Sequence, residues 1–187
     1  METKKDIRSH VLKLRNEMTE SEWDDKSHKI CEKVVNHPFF LDADTVYCYI
    51  DYRHEVGTRI ILEEAWKQNK KVAVPKVEGD EMNFYYINHV SDLREGYRGI
   101  WEPHECVEAT EEHPLVIMPG VAFDKNCNRI GYGKGFYDKF LMKHPNACRM
   151  ALAFELQRIP LIPTDAYDIR PHCLITEEMI YDTTAAK

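Results

Sequence analysis

Met118 to Leu141 reads MPGVAFDKNCNRIGYGKGFYDKFL, and the elements at its two ends decide the fold around it. The run Leu115 to Met118 that leads in is short, continuous and apolar, which suits a parallel strand buried on both faces. The far end, Phe136 to His144, reads as a helix. Strand, glycine loop and helix in succession point to a layered α/β sheet. Gly131, Gly133 and Gly135 alternate within the loop, so its backbone can take positive φ and approach a ligand closely. Backbone N–H groups followed by a helix N-terminus form an anion cradle. Arg129 and Lys134 flank it with positive charge, and Asp138 falls in the first helical turn. A carboxylate there can hold Mg2+, which takes a few protein oxygens together with phosphate oxygens. The spacing is neither the GxxxxGKS/T phosphate loop nor a dinucleotide fingerprint, whose third glycine falls later. A tight structural turn explains the glycines alone about as well; the flanking charges tip the reading toward phosphate.

Toward the N-terminus, Ile7, Val11, Leu14 and Met18 recur at spacings of 4, 3 and 4, one face of a helix. Thr19 sits three residues before Glu22, a capping box that starts a second helix running to about Asn36. Ile30 and Val34 continue its buried face, and Pro38 stops it. Thr45 to Ile50 (TVYCYI) reads as a strand. Thr58 can cap a helix to about Asn69, with Ile61, Leu62, Ala65 and Trp66 inward. Lys71 to Val77 (KVAVPKV) is a second strand, with Pro75 marking its end, and Met82 to Ile87 (MNFYYI) is a third. Asn88 to Pro114 is the least regular stretch and reads as a long loop or insertion. Met150 to Phe154 (MALAF) and Leu174 to Thr176 complete the strands. Strands alternating with helices predict right-handed crossovers within one layered sheet.

The 187 residues suit one domain, 1–187, large enough to be stable without disulfides or a structural metal. Lys and Arg total 25 against 32 Asp and Glu, a net charge of −7, which argues against a broadly basic nucleic-acid surface. No apolar run is long enough to span a membrane, and Met1 to Arg8 lacks the apolar core of a signal peptide. The expected location is therefore the cytoplasm, with neither nucleic acid nor membrane as partner. The six cysteines (31, 48, 106, 127, 148 and 173) form no CxxC and read as reduced thiols. The nine histidines show no metal-binding spacing, and no GxSxG elbow supports a nucleophilic serine.

The central string resembles the signature of the 5-formyltetrahydrofolate cyclo-ligase family, also called methenyltetrahydrofolate synthetases. The matching residues are Pro119-Gly120, Phe123-Asp124, Arg129, the three loop glycines and Tyr137-Asp138, in the family's order and spacing. Lys4-Lys5 followed by Arg8, the first strand leading to Glu55, the strand Met150 to Phe154 and the tail around Asp168 fall in register too. The resemblance implies a three-layer α/β/α domain with a mostly parallel sheet. It also implies ATP- and Mg2+-dependent closure of 5-formyltetrahydrofolate to 5,10-methenyltetrahydrofolate by a monomer.

By the same resemblance Arg129 and Lys134 are catalytic, stabilising charge on the migrating phosphoryl group. Lys4, Lys5, Arg8, Arg129, Gly131, Tyr132, Gly133, Lys134, Gly135, Phe136 and Tyr137 bind ATP. Ile50, Glu55 and Tyr137 bind the folate, with Glu55 accepting from a pair of pterin N–H groups. Asp138 and Asp168 hold Mg2+. Each has a plainer explanation: solvated helix charge for Lys4 and Arg8, core packing for Ile50 and Tyr137, and charge complementarity to a helix N-terminus for Asp138. Two other functions stay open at this point, a folate- or nucleotide-storing protein and a sugar-phosphate enzyme on a similar layered fold. His54 beside Glu55 can touch a ligand, although an exposed loop histidine is the plainer reading. Phe84, Tyr85, Tyr86, Tyr97 and Trp101 can stack a flat heterocycle or serve as core. Three residues depart from the family's habit. Cys127 stands for a turn glycine between Asn126 and Asn128, Phe136 for the commoner tyrosine, and Trp101 for proline in Gly99 to Pro103.

Overall fold

The computed structural model describes residues 3–96, 99–105 and 107–183; Tyr97 and Cys106, both considered above, lie outside them. Helices α1 (Lys4–Asn16) and α2 (Glu20–Val35) open the chain, each started by a capping box. At α2 the Thr19 hydroxyl accepts from Glu22 N at 3.2 Å while the Glu22 carboxylate accepts from Thr19 N at 2.9 Å. Pro38 ends α2 as expected and then serves as first residue of a short helix, α3 (Pro38–Leu41), where its missing N–H costs nothing. There follow β1 (Thr45–Cys48), α4 (Arg59–Lys67), β2 (Lys71–Glu78) and β3 (Glu81–Ile87). The expected loop from Asn88 contains a hairpin, β4 (Leu93–Glu95) with β5 (Trp101–Pro103). The remainder is β6 (Leu115–Met118), β7 (Ala122–Phe123), β8 (Arg129–Ile130), α5 (Phe136–Lys143), β9 (Cys148–Leu152), β10 (Cys173–Ile175) and β11 (Ile180–Asp182).

One seven-stranded sheet runs β11-β10-β9-β6-β1-β2-β3. The five inner strands are parallel, and β3 and β11 pair antiparallel at the two edges. Pro75 does not end β2. The strand is paired with β1 only from Lys71 to Ala73, so Pro75 sits where that side is already an edge and no ladder N–H is missed.

Residues alternate between the two faces. Val46, Cys48, Leu115 and Ile117 share a core with Ile30 and Val34 of α2 and Ile61, Leu62 and Ala65 of α4. Tyr47, Val116 and Met118 share the opposite core with Phe140 and Leu141 of α5. The result is a three-layer α/β/α arrangement with a mostly parallel sheet. A third cluster seats Ile7 and Val11 of α1 on Val121, Ala122 and Ile130 of the β7–β8 hairpin. Each such buried aliphatic contributes about 1.5–3 kcal/mol, which fixes α1 beside the glycine loop.

Phe84 is core, stacked on Tyr47 with centroids 4.9 Å apart, whereas Trp101 is half-exposed. Five described cysteines are free thiols. No helix among the described residues is long and apolar enough to cross a membrane.

Candidate active site

In chain order the parallel strands lie 2-1-3-4-5 across the sheet, a doubly wound order. Its crevice opens beyond the C-terminal ends of β1 and β6, where successive connections leave for opposite faces. The segment after β1 carries Ile50 and Glu55; the segment after β6 carries Pro119-Gly120 and, past the β7–β8 hairpin, the glycine loop.

Asp124 shapes that hairpin. Its Oδ1 accepts from Asn126 N at 2.9 Å and Asn128 N at 3.0 Å, and its Oδ2 from the Asn128 side chain at 2.8 Å. The turn therefore survives the loss of glycine, with Cys127 itself at φ 57°. Beyond it Arg129 is buried, and its Nη2 donates to Asp138 Oδ1 at 3.0 Å across the mouth of the loop. Gly133 and Gly135 take φ of 97° and 67°, which a side chain would strain. Gly135 occupies the N-cap of α5 with no side-chain cap, leaving the first N–H groups of that helix open to a ligand.

Helix α1 lies along the loop. Arg8 Nε donates to Gly131 O at 2.8 Å, and its guanidinium faces Gly133. Seven residues on, Arg15 is fully buried and donates from Nη2 to Arg53 O at 3.1 Å and to the Tyr132 hydroxyl at 2.9 Å. That hydroxyl donates in turn to Glu55 Oε1 at 2.5 Å. Glu55 Oε2 accepts from Tyr52 N at 2.8 Å, and Trp23 Nε1 anchors the Glu55 carbonyl at 2.7 Å. Burial pushes the Glu55 carboxyl up to about 7, against the opposing pull of Tyr132, Arg15 and the Tyr52 N–H. Two consecutive residues before it, Arg53 and His54, hold φ of 48° and 55°, strain concentrated beside the carboxylate. Tyr137 completes this end: its hydroxyl is buried without a partner among the described residues, and the Arg129 guanidinium lies 5.9 Å from its ring centre. A buried orphan hydroxyl next to a buried carboxylate suits a polar ligand edge.

At the other end of the loop a cavity of about 580 Å³ is lined by Gly135, Asp138, Asp165 and Asp168 among others. Lys4 Nζ bridges Asp165 at 2.7 Å and Asp168 at 2.6 Å. Burial works against charge on Lys4, but the hydrogen bonds and negative charges of the two aspartates together outweigh it and hold its pKa above the usual value. Asp138 Oδ1 also accepts from Ile169 N at 3.1 Å, tying the loop after β9 to α5.

This geometry has relatives. The profile of the 5-formyltetrahydrofolate cyclo-ligase family matches residues 1–177. The chain belongs to that family. Membership makes it an enzyme of the ligase class, tied to folate metabolism, in a family that implies ATP as co-substrate. The 5-formyltetrahydrofolate cyclo-ligase of Haemophilus influenzae is 27% identical over 171 residues, covering 87% of this chain and 91% of that protein. The Mus musculus enzyme of the same name is 25% identical over 198 residues, covering 98% and 95%. The NMR structure of Aquifex aeolicus 5,10-methenyltetrahydrofolate synthetase matches with a TM-score of 0.87 and 31% identity, over 98% of this chain and 94% of that one.

The cyclo-ligase signature thus converges on one crevice. Arg129, the glycine loop, Tyr132, Tyr137, Arg8 and Glu55 meet around the loop, while Lys4, Asp138 and Asp168 gather at the cavity beside it. Lys134 is exposed with no hydrogen-bond partner among the described residues, a free cation on the loop. Lys5 is exposed on α1 and contacts neither cluster. Ile50 is partly buried against the first core, and Phe136 packs on the second. His54 faces Glu20, 3.1 Å away, rather than the crevice. Among the described residues no three His, Cys, Asp or Glu side chains converge as a ready-made metal cage. Thr58 does not cap α4; its hydroxyl bonds Tyr49 O at 2.9 Å and Asp51 Oδ1 at 3.1 Å, bracing the start of the Glu55 segment. Sequence reading missed Arg15, Asp165 and the Gln157 amide, which donates to Gly120 O at 2.9 Å and Val121 O at 3.0 Å. Arg15 had a signal: it falls four residues after Val11, on the buried face of α1.

Proposed function

We propose that this chain uses ATP and Mg2+ to convert 5-formyltetrahydrofolate into 5,10-methenyltetrahydrofolate, releasing ADP and phosphate. The formyl oxygen is amide-like and a poor leaving group. Transfer of the γ-phosphoryl to it creates a phosphate ester; N10 then attacks the formyl carbon, and the oxygen departs as inorganic phosphate. The observation that carries this reading is the glycine loop lying between a cationic wall, Arg8 and Arg129, and a buried carboxylate, Glu55. One side suits phosphates and the other a pterin, so a single loop can hold the two reactants against each other.

In this reading Lys4, Lys5 and Arg8 bind phosphates from α1, Gly131 to Gly135 cradle them, and Phe136 and Tyr137 line the pocket. Lys134 and Arg129 neutralise charge that develops on the transferring group. Glu55 in its ionised form accepts from the pterin N–H pair, with Ile50 as an apolar wall and the Tyr137 hydroxyl as a further polar contact. The carboxylates fit Mg2+, which binds through one or two of them plus phosphate oxygens. Asp138 and Asp168, facing one cavity beside the loop, would hold it, and its charge would offset that of the phosphates. Residues 1–187 act as one monomeric domain, in keeping with one seven-stranded sheet that draws in strands from both ends of the chain, β1 and β11 included, and the free thiols suit the cytoplasm.

The test is spectroscopic. Mixing the protein with 5-formyltetrahydrofolate and MgATP should produce the near-ultraviolet band of methenyltetrahydrofolate, and a chelator should stop it. No band, with both reactants binding by calorimetry, would overturn the catalytic reading.

A further inference from the structure

Tyr132 is the one loop side chain whose polar atom reaches across to Glu55. It sits between Gly131, whose carbonyl Arg8 holds, and Gly133, which the same guanidinium faces. Its ring is half-exposed, yet its hydroxyl is enclosed, accepting from Arg15 and donating to Glu55. Arg15 at the same time grips Arg53 O, two residues before Glu55 in the strained turn. The loop and the Glu55 segment, which belong to different strand ends, are thus joined by one continuous chain of donors from α1.

We infer that Arg15 and Tyr132 are positioning residues that couple the nucleotide site to the folate site, so that each ligand strengthens the binding of the other. This rests on the reading of the glycine loop as nucleotide cradle and of Glu55 as pterin carboxylate. Phosphates settling on the loop N–H groups fix the backbone on both sides of Tyr132. A fixed hydroxyl aims Glu55 and favours its ionised form, which is the form an N–H pair needs. Coupling is reciprocal in binding free energy, so folate must tighten nucleotide by the same factor. The hydroxyl is a strong lever here because a hydrogen bond to a buried charge gains from the low local dielectric and from polarisation by the arginine behind it. The groups facing Glu55 are Arg15 from α1, Tyr132 from the loop, Tyr137 from α5, and Tyr49 and Asp51 from the segment after β1. Arg15 and Tyr132 favour its charge and Asp51 opposes it. Loss of the hydroxyl therefore favours the protonated form.

The experiment measures 5-formyltetrahydrofolate affinity by calorimetry, with and without a non-hydrolysable ATP analogue plus Mg2+, for wild type and Tyr132→Phe. The substitution deletes one oxygen from a half-exposed ring and leaves the fold, which near-ultraviolet circular dichroism verifies. Wild type should show tightening on the order of fivefold or more in both directions. Tyr132→Phe should bring that factor close to one. Its folate affinity should suffer most at pH 6.5 and recover toward wild type at pH 8.5, where Glu55 is ionised without help. A purely structural role would move affinity equally at both pH values. Folate and nucleotide binding with no coupling in wild type, or full coupling in Tyr132→Phe, would overturn the inference and leave the functional reading intact. Absence of folate or nucleotide binding in wild type would overturn both.

Discussion

Glu55 and Asp168 flank the same glycine loop and are held in opposite ways. Glu55 is buried and meets its cation, Arg15, only through the Tyr132 hydroxyl; burial wins, and its carboxyl rises to about 7. Burial also raises Asp168, but the hydrogen bonds from Lys4 and the Asp165 N–H, together with the charges of Lys4 and Arg129, outweigh this and hold its pKa below the ordinary value. Folding therefore opposes charge at one end of the crevice and favours it at the other. A carboxylate with an uncompensated burial cost is poised to gain from a ligand's N–H groups. A carboxylate already met by a lysine is a site where one cation can replace another. The two ends thus suit two different kinds of partner, an N–H edge and a metal–phosphate group.

The loop between them sets the largest expected effect. Lys134 is the exposed cation there, so Lys134→Ala should lower kcat by about 10²–10³ with little change in folate affinity. Steady-state kinetics with MgATP reads this directly, and near-wild-type kcat would remove Lys134 from the chemistry.

Glu55→Gln sharpens the contrast most, because it should divide activity from stability. Folate kcat/KM should fall on the order of 100-fold, since a charge-assisted pair is lost. Stability should rise. The folded pKa of Glu55 lies above its unfolded value, so its favourable contribution is complete below the unfolded value near 4.5. That contribution disappears as pH climbs through about 7. Above pH 7 the buried charge costs roughly 3 kcal/mol at most, and Glu55→Gln should raise Tm at pH 8 by about 5 °C or more. The gain should shrink as pH falls and vanish only below about pH 4.5. Equal melting temperatures at pH 8 would mean that Glu55 carries no such cost.

Asp138→Asn tests the other end. It removes a carboxylate from the cavity while keeping a group of the same shape beside Arg129. The Mg2+ concentration needed for half-maximal rate should rise about tenfold, as for loss of one ligand among several, with folate affinity unchanged. A folate-binding defect at unchanged Mg2+ demand would reverse the assignment of the two ends.

The sequence exposed the scaffold of this contrast better than the contrast itself. Apolar runs such as Leu115 to Met118 and the Thr19 capping box are local signals, and both were realised. The β7–β8 hairpin escaped because two-residue strands show no periodicity, and it is fixed by Asp124 rather than by pattern. The β4–β5 hairpin escaped too, because strands of three residues are also too short to show an alternation. Glu55 and Asp168 were found through the family signature, and Asp138 already from its place in the first helical turn after the glycine loop. Their opposite electrostatics were not, because these depend on Arg15 and Lys4 side chains crossing 117 and 164 positions of sequence separation to Tyr132 and Asp168. Arg15 was hidden further by its company, an arginine on a helix face otherwise read from its aliphatic residues.

The smallest effect is the mirror image of Glu55. Asp168 has a folded pKa below its unfolded value of about 3.8, so its contribution to stability is present above that value and lost as pH falls through the folded pKa. Its ion pair with Lys4 is partly open to solvent, so screening keeps it to about 0.5 kcal/mol. Asp168→Asn should lower Tm by about 1–2 °C at pH 7 and low salt. The loss should shrink in 1 M salt, and shrink again below pH 3.8 as wild type itself protonates. The sign is opposite to that expected of Glu55→Gln, while both differences fade on acidification, that of Glu55 at the higher pH. Melting both variants across pH 3.5 to 8.5 therefore compares the two ends in one series. Two curves that moved in the same direction would show that the loop separates no electrostatic difference at all.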